Sequence, residues 1–558
     1  MMYQYDAIRI RGIVSAIPDQ VLNNADLAKG EDEKSVLRQI RVTGIKNRVV
    51  CRDGQRAADL CIHAAERLME RLGWSGDDVT CLVFVTSYAS YRIPSTAFFM
   101  KKELGLKDGC LAYDVNLACS GFIVGLQTIG ALFEGREEGS RALLLVSDTT
   151  SESVDGKDPA TRILFGDAGV AIAVEKNNGY PLRFLQMSDG RGYRDIIRED
   201  GDHDFIMDGM SVFNFSLGDV VETIKQFLNG IREERIEVDY YYLHQAQKFI
   251  VDKVADLSGI GKENVSVTYD RYGNTGCASI PLTMCETSGR FVGSMKTVFA
   301  CGFGAGHSWG CASMVIAPDT YFEVISSGAI YDDGIREDVR ALNKLELNGV
   351  ESKDLCESSI YQGYIIEKAG LDYSGVGELT ETVKASACEA IEGYDKKRIK
   401  ILILVTQDEE FLFPSTAFRI QKELDIPNEC VVYDINLGAD GMLTGIETAM
   451  GLLKPYSDED KALVIAADRE ESVSVIVGKD TVGHARFMHL SRVDDWDITH
   501  IRRFAKRVDH QSEIAGSPVP IARRLVDAVN CPDGIHAELS AYGSGGSFTR
   551  MEYLYGTE

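Results

Sequence analysis

An α/β fold is the class this sequence predicts, and three observations predict it. Short apolar, β-rich runs alternate with segments whose apolar residues recur at helical spacing, the pattern of strands alternating with helices. With 558 residues the chain is too long for one ordinary core, so two or more domains are expected. Residues 85 to 148 also recur, without gaps, 320 positions later, so one supersecondary unit is used twice.

Taken in order, Ala7 to Val14 reads as a first strand running toward a turn at Pro18. Gln55 to Leu72 places Ala58, Cys61, Ala64, Ala65 and Leu68 at helical spacing and predicts a helix. Cys81 to Thr86 is a short strand, and Pro94 opens another helix near its first turn. An apolar strand at Cys110 to Tyr113 leads through Asp114-Val-Asn-Leu-Ala-Cys-Ser-Gly-Phe122 into a helix over Ile123 to Phe133. A strand follows at Arg141 to Val146, then Phe165-Gly-Asp-Ala-Gly-Val-Ala-Ile172. A second run predicts a helix from Asp219 to Asn229, a strand at Val238 to Leu243, a helix after His244, a strand at Val265 to Tyr269, a helix from Ile280 and a strand from Thr297.

The repeat is specific. Pro94-Ser-Thr-Ala-Phe98 returns as Pro414-Ser-Thr-Ala-Phe418, and Tyr113-Asp-Val-Asn-Leu117 as Tyr433-Asp-Ile-Asn-Leu437. Gly121, Gly125, Thr128 and Asp148 return as Gly441, Gly445, Thr448 and Asp468. Cys119 meets Ala439, which carries no nucleophile. After about residue 490 only Tyr542-Gly-Ser-Gly-Gly-Ser547 reads as a glycine-rich closing loop, and Pro318 marks the boundary between the copies.

Composition narrows the function. Hydrophobic content of 45% with 26% charged residues places the chain among soluble globular proteins. No apolar run approaches the roughly 18 residues that span a bilayer. The first residues, Met1 to Ile8, lack the basic segment and apolar core of a signal peptide. Thirteen cysteines without a Cys-x-x-Cys pair predict free thiols in a reducing cytoplasm rather than a zinc ribbon or a disulfide framework. A net charge of −26 argues against nucleic acid as a partner, and an acidic carrier protein would need a local basic patch to dock. No metal site is expected.

Four segments carry chemistry. Cys119 stands where a strand turns into a helix, and unpaired N–H groups there favour a thiolate, the nucleophilic form. On this segment alone Cys119 reads equally well as a nucleophile or as a buried core thiol. His244 ends a strand and opens a helix, which suits a group pointing into a cleft, although a structural histidine is the commoner occupant. Gly273 and Gly276 flank Asn274 in a tight turn that aims a carboxamide, or in an ordinary Gly-Asn turn. The run Gly302-Phe-Gly-Ala-Gly-His-Ser-Trp-Gly310 lets backbone approach a ligand and supply an N–H to an oxyanion. It matches neither dinucleotide nor P-loop phosphate motif.

Together, in this order, Asn116-Leu-Ala-Cys-Ser-Gly-Phe122, His244-Gln-Ala246, Gly273-Asn-Thr275 and Gly304-Ala-Gly-His-Ser-Trp-Gly310 resemble the β-ketoacyl-ACP synthase III family of the thiolase superfamily. Asn23-Asn-Ala-Asp-Leu27, Thr43-Gly-Ile45 and Phe165-Gly-Asp167 support the resemblance, which covers roughly residues 7 to 317. It implies a thiolase-like, five-layered αβαβα fold. Residues 1–317 would be the active domain, in two halves divided near residue 175. Residues 318–558 would be a degenerate, truncated copy lacking the catalytic cysteine, packing on the first as an intrachain pseudo-dimer.

The resemblance also implies roles. Cys119 takes an acyl group from a thioester carried by CoA or acyl carrier protein. His244 and Asn274 hold the carbonyl of a malonyl-type thioester while carbon dioxide leaves, and the enolate attacks the acylated sulfur's carbonyl. The backbone N–H groups of Cys119 and Ala305 form the oxyanion hole, and Phe303 lines the acyl pocket. No tightly bound cofactor is expected, only CoA or phosphopantetheine thioesters. A neutral Asn274 can donate where an ionised aspartate cannot, which favours carbon–carbon bond formation. Transfer of the acyl group to an oxygen, nitrogen or sulfur acceptor is the alternative, and a non-catalytic carrier-binding scaffold a more distant one. The catalytic glutamate that hydroxymethylglutaryl-CoA synthases carry is missing from Tyr88-Ala-Ser-Tyr-Arg-Ile-Pro94.

Two positions depart from the family pattern. Arg38 stands where the family often has a tryptophan that stacks on adenine. With Arg41, Lys46 and Arg48 it would form either a basic thioester entrance or a solvated face. Ile93 stands where the family's symmetric dimers place a phenylalanine that lines the partner's acyl pocket, while the second copy has Phe413. Phe413 is therefore expected to cap the pocket around Cys119 from within the same chain, with further homo-oligomerisation open. The predicted product is a ketoacyl synthase III-like acyltransferase of fatty-acid, polyketide-like or specialised metabolism.

Overall fold

The computed structural model describes residues 2–28, 33–91, 94–154, 158, 161–199, 205–331, 356–372, 379–408, 410–437, 441–467, 472–491, 535–542 and 547–555. Ile93, Ala439, Asp468 and the glycines between Tyr542 and Ser547 lie outside the described residues.

The first region opens with β1 (Tyr3–Tyr5), β2 (Ile8–Pro18), β3 (Gln20–Asn23), α1 (Glu33–Thr43), β4 (Asn47–Val50) and α2 (Ala57–Leu72). The repeated unit follows as β5 (Val79–Val85), α3 (Thr96–Glu103), β6 (Leu111–Asn116), α4 (Gly121–Glu134) and β7 (Arg141–Asp148). Then come β8 (Ala168–Lys176), β9 (Leu182–Ser188), β10 (Ile196–Glu199), β11 (Ile206–Met207), α5 (Gly209–Leu217) and α6 (Asp219–Glu233). β12 (Tyr240–Leu243), α7 (Lys248–Leu257), α8 (Tyr269–Tyr272), α9 (Ser279–Glu286), β13 (Lys296–Gly304), β14 (Ser308–Ile316) and β15 (Tyr321–Ser327) complete it.

The layers follow from which residues must hide. In α4 every residue from Gly121 to Phe133 is buried, and a helix apolar on all sides belongs between two sheets. It packs on β5 and β7 on one side and on β9, β13 and β14 on the other. Helix α9 joins this central layer, touching β2, β8, β12 and β15. By contrast α6 buries only one stripe, Val220, Ile224, Phe227, Leu228 and Ile231 among it, and covers the outer face of β9 and β14. Helix α2 covers β2, β7 and β8 from the opposite side. The result is the five-layered αβαβα, thiolase-like arrangement. One sheet runs β1-β9-β14-β13-β12, and the larger one begins β15-β2-β8-β7-β5-β6. The central strand β5, buried almost throughout, pairs in parallel with both β6 and β7, as expected of a continuous apolar strand covered on both faces.

The second region contains β16 (Cys356–Asp372), α10 (Leu379–Ile391), β17 (Ile399–Val405), β18 (Phe411–Phe413), α11 (Thr416–Glu423), β19 (Val431–Asn436), α12 (Gly441–Leu453), β20 (Lys461–Ala467), β21 (Ser472–Ser491), β22 (Ile535–Tyr542) and β23 (Ser547–Tyr555). Its strands extend the large sheet as β19-β17-β20-β21-β23-β22, with β16 on β21. The link is antiparallel pairing of β6 with β19: Asp114 with Asn436, Val115 with Ile435 and Asn116 with Asp434. Each of these residues faces a position of its own repeat, so the register is that of an approximate twofold axis. Beside it, α4 crosses α12 so closely that a Cβ on Gly451 would lie 2.1 Å from the Ala131 carbonyl oxygen. Tyr5 donates its hydroxyl to the Gly451 carbonyl at 3.1 Å, and Ser415 donates its own to the Asn116 carbonyl.

Two expectations are corrected. Val265 to Tyr269 is not a strand: Val265 makes a single bridge to Tyr241, and Tyr269–Tyr272 is a helical turn. A β-rich run without a second ladder partner has nothing to hold it extended. Beyond Pro318, Tyr321–Ser327 adds in parallel to β2, so packing of the first region continues at least to Ser327. Among the described residues, no helix is long and apolar enough to cross a membrane.

Candidate active site

Strand β6 delivers Cys119 to the turn before α4, and the turn is closed by Gly121 N–H donating to the Ala118 carbonyl at 2.7 Å. Strand β13 passes directly against the sulfur. A Cβ on Gly304 would lie 3.1 Å from Cys119 Sγ, and one on Gly302 would lie 2.9 Å from the Cys119 carbonyl oxygen. Glycine is required at both positions by close approach. Cys119 is half-buried. Burial, and second the Asp148 carboxylate, push its thiol up rather than down. The pull expected of the helix N-terminus is opposed here by an apolar wall and a nearby carboxylate.

His244 follows β12, whose buried Tyr242 and Leu243 anchor it. Its Nδ1 lies 2.8 Å from Ser279 Oγ, and Ser279 Oγ accepts the Gln245 N–H at 3.4 Å. When the serine hydroxyl donates to Nδ1, the ring carries its hydrogen on Nε2, and that N–H is left for a ligand. Burial lowers the His244 pKa to about 3, so the ring is a neutral donor at ordinary pH.

Asn274 sits on the loop between α8 and α9. Its backbone is tied to Leu164 and Gly166 at 2.8 and 3.0 Å, and its side-chain Oδ1 accepts the Gly276 N–H at 3.0 Å. With the oxygen engaged, Nδ2 is the end left to donate. Gly276 has φ 56° and leaves room for Asp148: a Cβ there would come within 2.0 Å of Oδ2. Asp148 in turn accepts N–H groups from Ser87 at 3.0 Å and Cys277 at 2.8 Å. It thereby joins the ends of β5 and β7 to the Asn274 loop. Burial raises its pKa to about 6, those two donors opposing.

Cys119, His244, Asn274, Phe303, Ala305 and Asp148 all line one cavity of about 170 Å³, with Tyr88, Leu164, Phe165, Phe205, Phe213, Phe215, Phe249 and Ile250 among its walls. Phe303 meets the His244 ring edge-on at 5.4 Å. Phe413 lines the same cavity from the second region. Strand β18 pairs with β10, Arg198 opposite Phe413, and the Phe413 ring lies 5.7 Å from Tyr88 and 5.6 Å from Phe205. Arg38 and Arg41 are exposed on α1 and do not line the cavity, while Lys46 is exposed on the turn after it. Arg48 is buried and donates to Asn24 Oδ1 and the Phe165 carbonyl at 2.8 and 3.1 Å, so it is no part of a surface patch. Ser279 and Asp148 were not singled out by sequence as site residues. The only signal for Ser279 was a hydroxyl opening the helix after the Asn274 turn.

Family models for 3-oxoacyl-[acyl-carrier-protein] synthase III match residues 113–190, and for its C-terminal part residues 230–316. The β-ketoacyl-[acyl-carrier-protein] synthase III of Streptococcus sanguinis (strain SK36) is 31% identical over 324 residues, covering 55% of this chain and 99% of that protein. That of Streptococcus pneumoniae (strain Hungary19A-6) matches to the same extent. Among solved structures, a 3-oxoacyl-(acyl-carrier protein) synthase from Burkholderia xenovorans LB400 superposes with a TM-score of 0.56 at 32% identity, covering 59% of this chain and 99% of that one. The 3-oxoacyl-(acyl carrier protein) synthase III of Pseudomonas aeruginosa PAO1 gives 0.50 at 28%, covering 56% and 98%.

Proposed function

The chain belongs to the 3-oxoacyl-[acyl-carrier-protein] synthase III family, and on that premise we propose that it joins an acyl thioester to a malonyl-type thioester with loss of carbon dioxide, using Cys119, His244 and Asn274. The observation that carries this reading is the single cavity that holds a half-buried thiol and two neutral side-chain donors.

In the first step Cys119 Sγ attacks the thioester carbonyl. The carbon–sulfur bond of the donor breaks, and the donor thiol leaves with the proton that Cys119 gives up. N–H groups of Cys119 and Ala305 stabilise the tetrahedral oxyanion. In the second step the malonyl carbonyl oxygen accepts hydrogen bonds from His244 Nε2 and Asn274 Nδ2. The bond to the carboxylate breaks, carbon dioxide departs, and its electron pair forms the enolate. That carbon attacks the acyl-Cys119 carbonyl, the thiolate leaves and is reprotonated, and a 3-oxoacyl thioester is released. Removing one donor of this kind costs about 2.7–4 kcal/mol of transition-state stabilisation.

Residues 318–558 act in this reading as the degenerate partner of an intrachain pseudo-dimer. Phe413 closes the acyl end of the cavity where a separate subunit would otherwise do so. Arg38 and Arg41 draw the anionic thioester toward the entrance. The test of the reaction class is carbon dioxide release from a malonyl thioester after Cys119 is acylated. Acyl transfer to an added alcohol or amine without carbon dioxide would overturn it.

A further inference from the structure

The crossing of α4 and α12 lies on an approximate twofold axis, yet its two arms carry different chemistry. At the offset of 320, Gln127 corresponds to Glu447, Arg136 to Tyr456, and Glu134 to Lys454. On one arm Arg136, just past α4, places Nη2 3.5 Å from Glu447 Oε1, and the two side chains are 2% and 0% exposed. Ser359 donates to the same Glu447 oxygen at 2.5 Å, and Arg136 Nη1 donates to the Leu132 carbonyl at 2.6 Å. On the other arm the corresponding residues are the neutral Gln127 and Tyr456, both buried. On the rim the corresponding residues Glu134 and Lys454 face one another at 3.7 Å.

We propose that these charges make the face hetero-specific: it accepts a second region, from this chain or another copy of it, and rejects a second first region. The inference rests on the pseudo-dimer reading above. Seating a first region where the second one lies replaces the carboxylate beside buried Arg136 with the Gln127 carboxamide, on both arms, and sets Glu134 against Glu134. Seating two second regions together replaces the guanidinium beside Glu447 with a tyrosine and sets Lys454 against Lys454. Exchanging a buried counter-charge for a neutral group is strongly unfavourable, and like charges set opposite one another add to the discrimination. The Gln–Tyr arm carries no charge, so the charges supply the specificity and the apolar crossing supplies the contact.

The test cuts the purified full chain at a protease site inserted between Tyr331 and Cys356, then reads stoichiometry by native mass spectrometry. Wild type should remain a one-to-one pair of the two pieces. The Glu134→Gln/Arg136→Tyr variant, whose first-region face becomes neutral and self-complementary, should re-sort into dimers of the first piece. Should that variant not fold, a cycle in the uncut chain decides: Glu447→Gln should lower Tm by about 3–4 °C, and Arg136→Tyr with Glu447→Gln should recover most of it. First-piece dimers from cut wild type would overturn the proposal, as would a variant that stays one-to-one with unchanged Tm; the latter leaves the pseudo-dimer reading standing. Pieces that part as monomers overturn both.

Discussion

The segments 79–148 and 399–467 are built alike and used differently. Each runs strand, helix, strand, helix, strand, with starts displaced by 320 positions, and the second adds the short β18 before its first helix. Each secures its short helix with an aspartate: Asp114 accepts from Thr96 N–H and Ala97 N–H at 2.7 Å each, and Asp434 from Thr416 N–H and Ala417 N–H at 2.6 and 2.9 Å. Each buries its long helix on every side. The segments part after the last strand. The first continues into the half that supplies His244, Asn274 and β13, whereas the second continues into the paired strands β21, β22 and β23. Among the described residues, the second segment meets no such half. The repeated unit is therefore a frame, and most of the chemistry in the cavity is brought to it from outside. What the second frame contributes is a wall and a face: Phe413 in the cavity, Ser415 on the Asn116 carbonyl, and Gln421 accepting the Gly190 N–H at 3.0 Å.

The sharpest way to break this contrast is to exchange the nucleophile. Cys119→Ala should abolish condensation, and adding Ala439→Cys should not restore it; restored turnover would make the second frame a site. Next, Asn274→Ala should lower condensation about 10²–10³-fold while Cys119 still acylates, as read by comparing product formation with intact-mass labelling. Ser279→Ala should release the His244 tautomer and lower condensation about 5- to 30-fold, with Ser279→Thr recovering part of it. In the absence of substrate, the raised Cys119 thiol predicts alkylation by iodoacetamide that climbs about tenfold per pH unit from pH 7 to pH 9. The sign follows because thiolate grows with pH below a raised pKa, and a plateau below pH 8 would place the thiol in an activating field instead. Smallest in effect on rate, Phe413→Ala should shift acyl preference toward bulkier chains with little loss of Tm, and an unchanged chain-length profile would detach the second region from specificity.

The groups that meet at the cavity were readable as punctuation. A cysteine, a histidine and a glycine-flanked asparagine each stood where a strand or turn ended, and such ends point side chains into clefts. Their fastenings were not readable in this way. Asp148 reaches Ser87 and Cys277 across the fold, and Ser279 reaches His244 from 35 positions away, contacts that no local pattern encodes. The same holds for Tyr321–Ser327, an edge strand that finds β2 some 300 residues back, and for Arg48, whose charge suggested a surface but whose partners lie inside. The repeat was evident by identity, yet the close crossing of α4 and α12 at Ala131 and Gly451 is marked by no periodicity.

Intact-mass labelling with a panel of acyl thioesters, followed by a malonyl thioester, bears most directly on the central claim. Wild type should take up one acyl adduct and Cys119→Ala none, with the adduct discharged as a 3-oxoacyl thioester together with one carbon dioxide. An adduct that persists on Cys119→Ala, or that discharges without carbon dioxide, would contradict it.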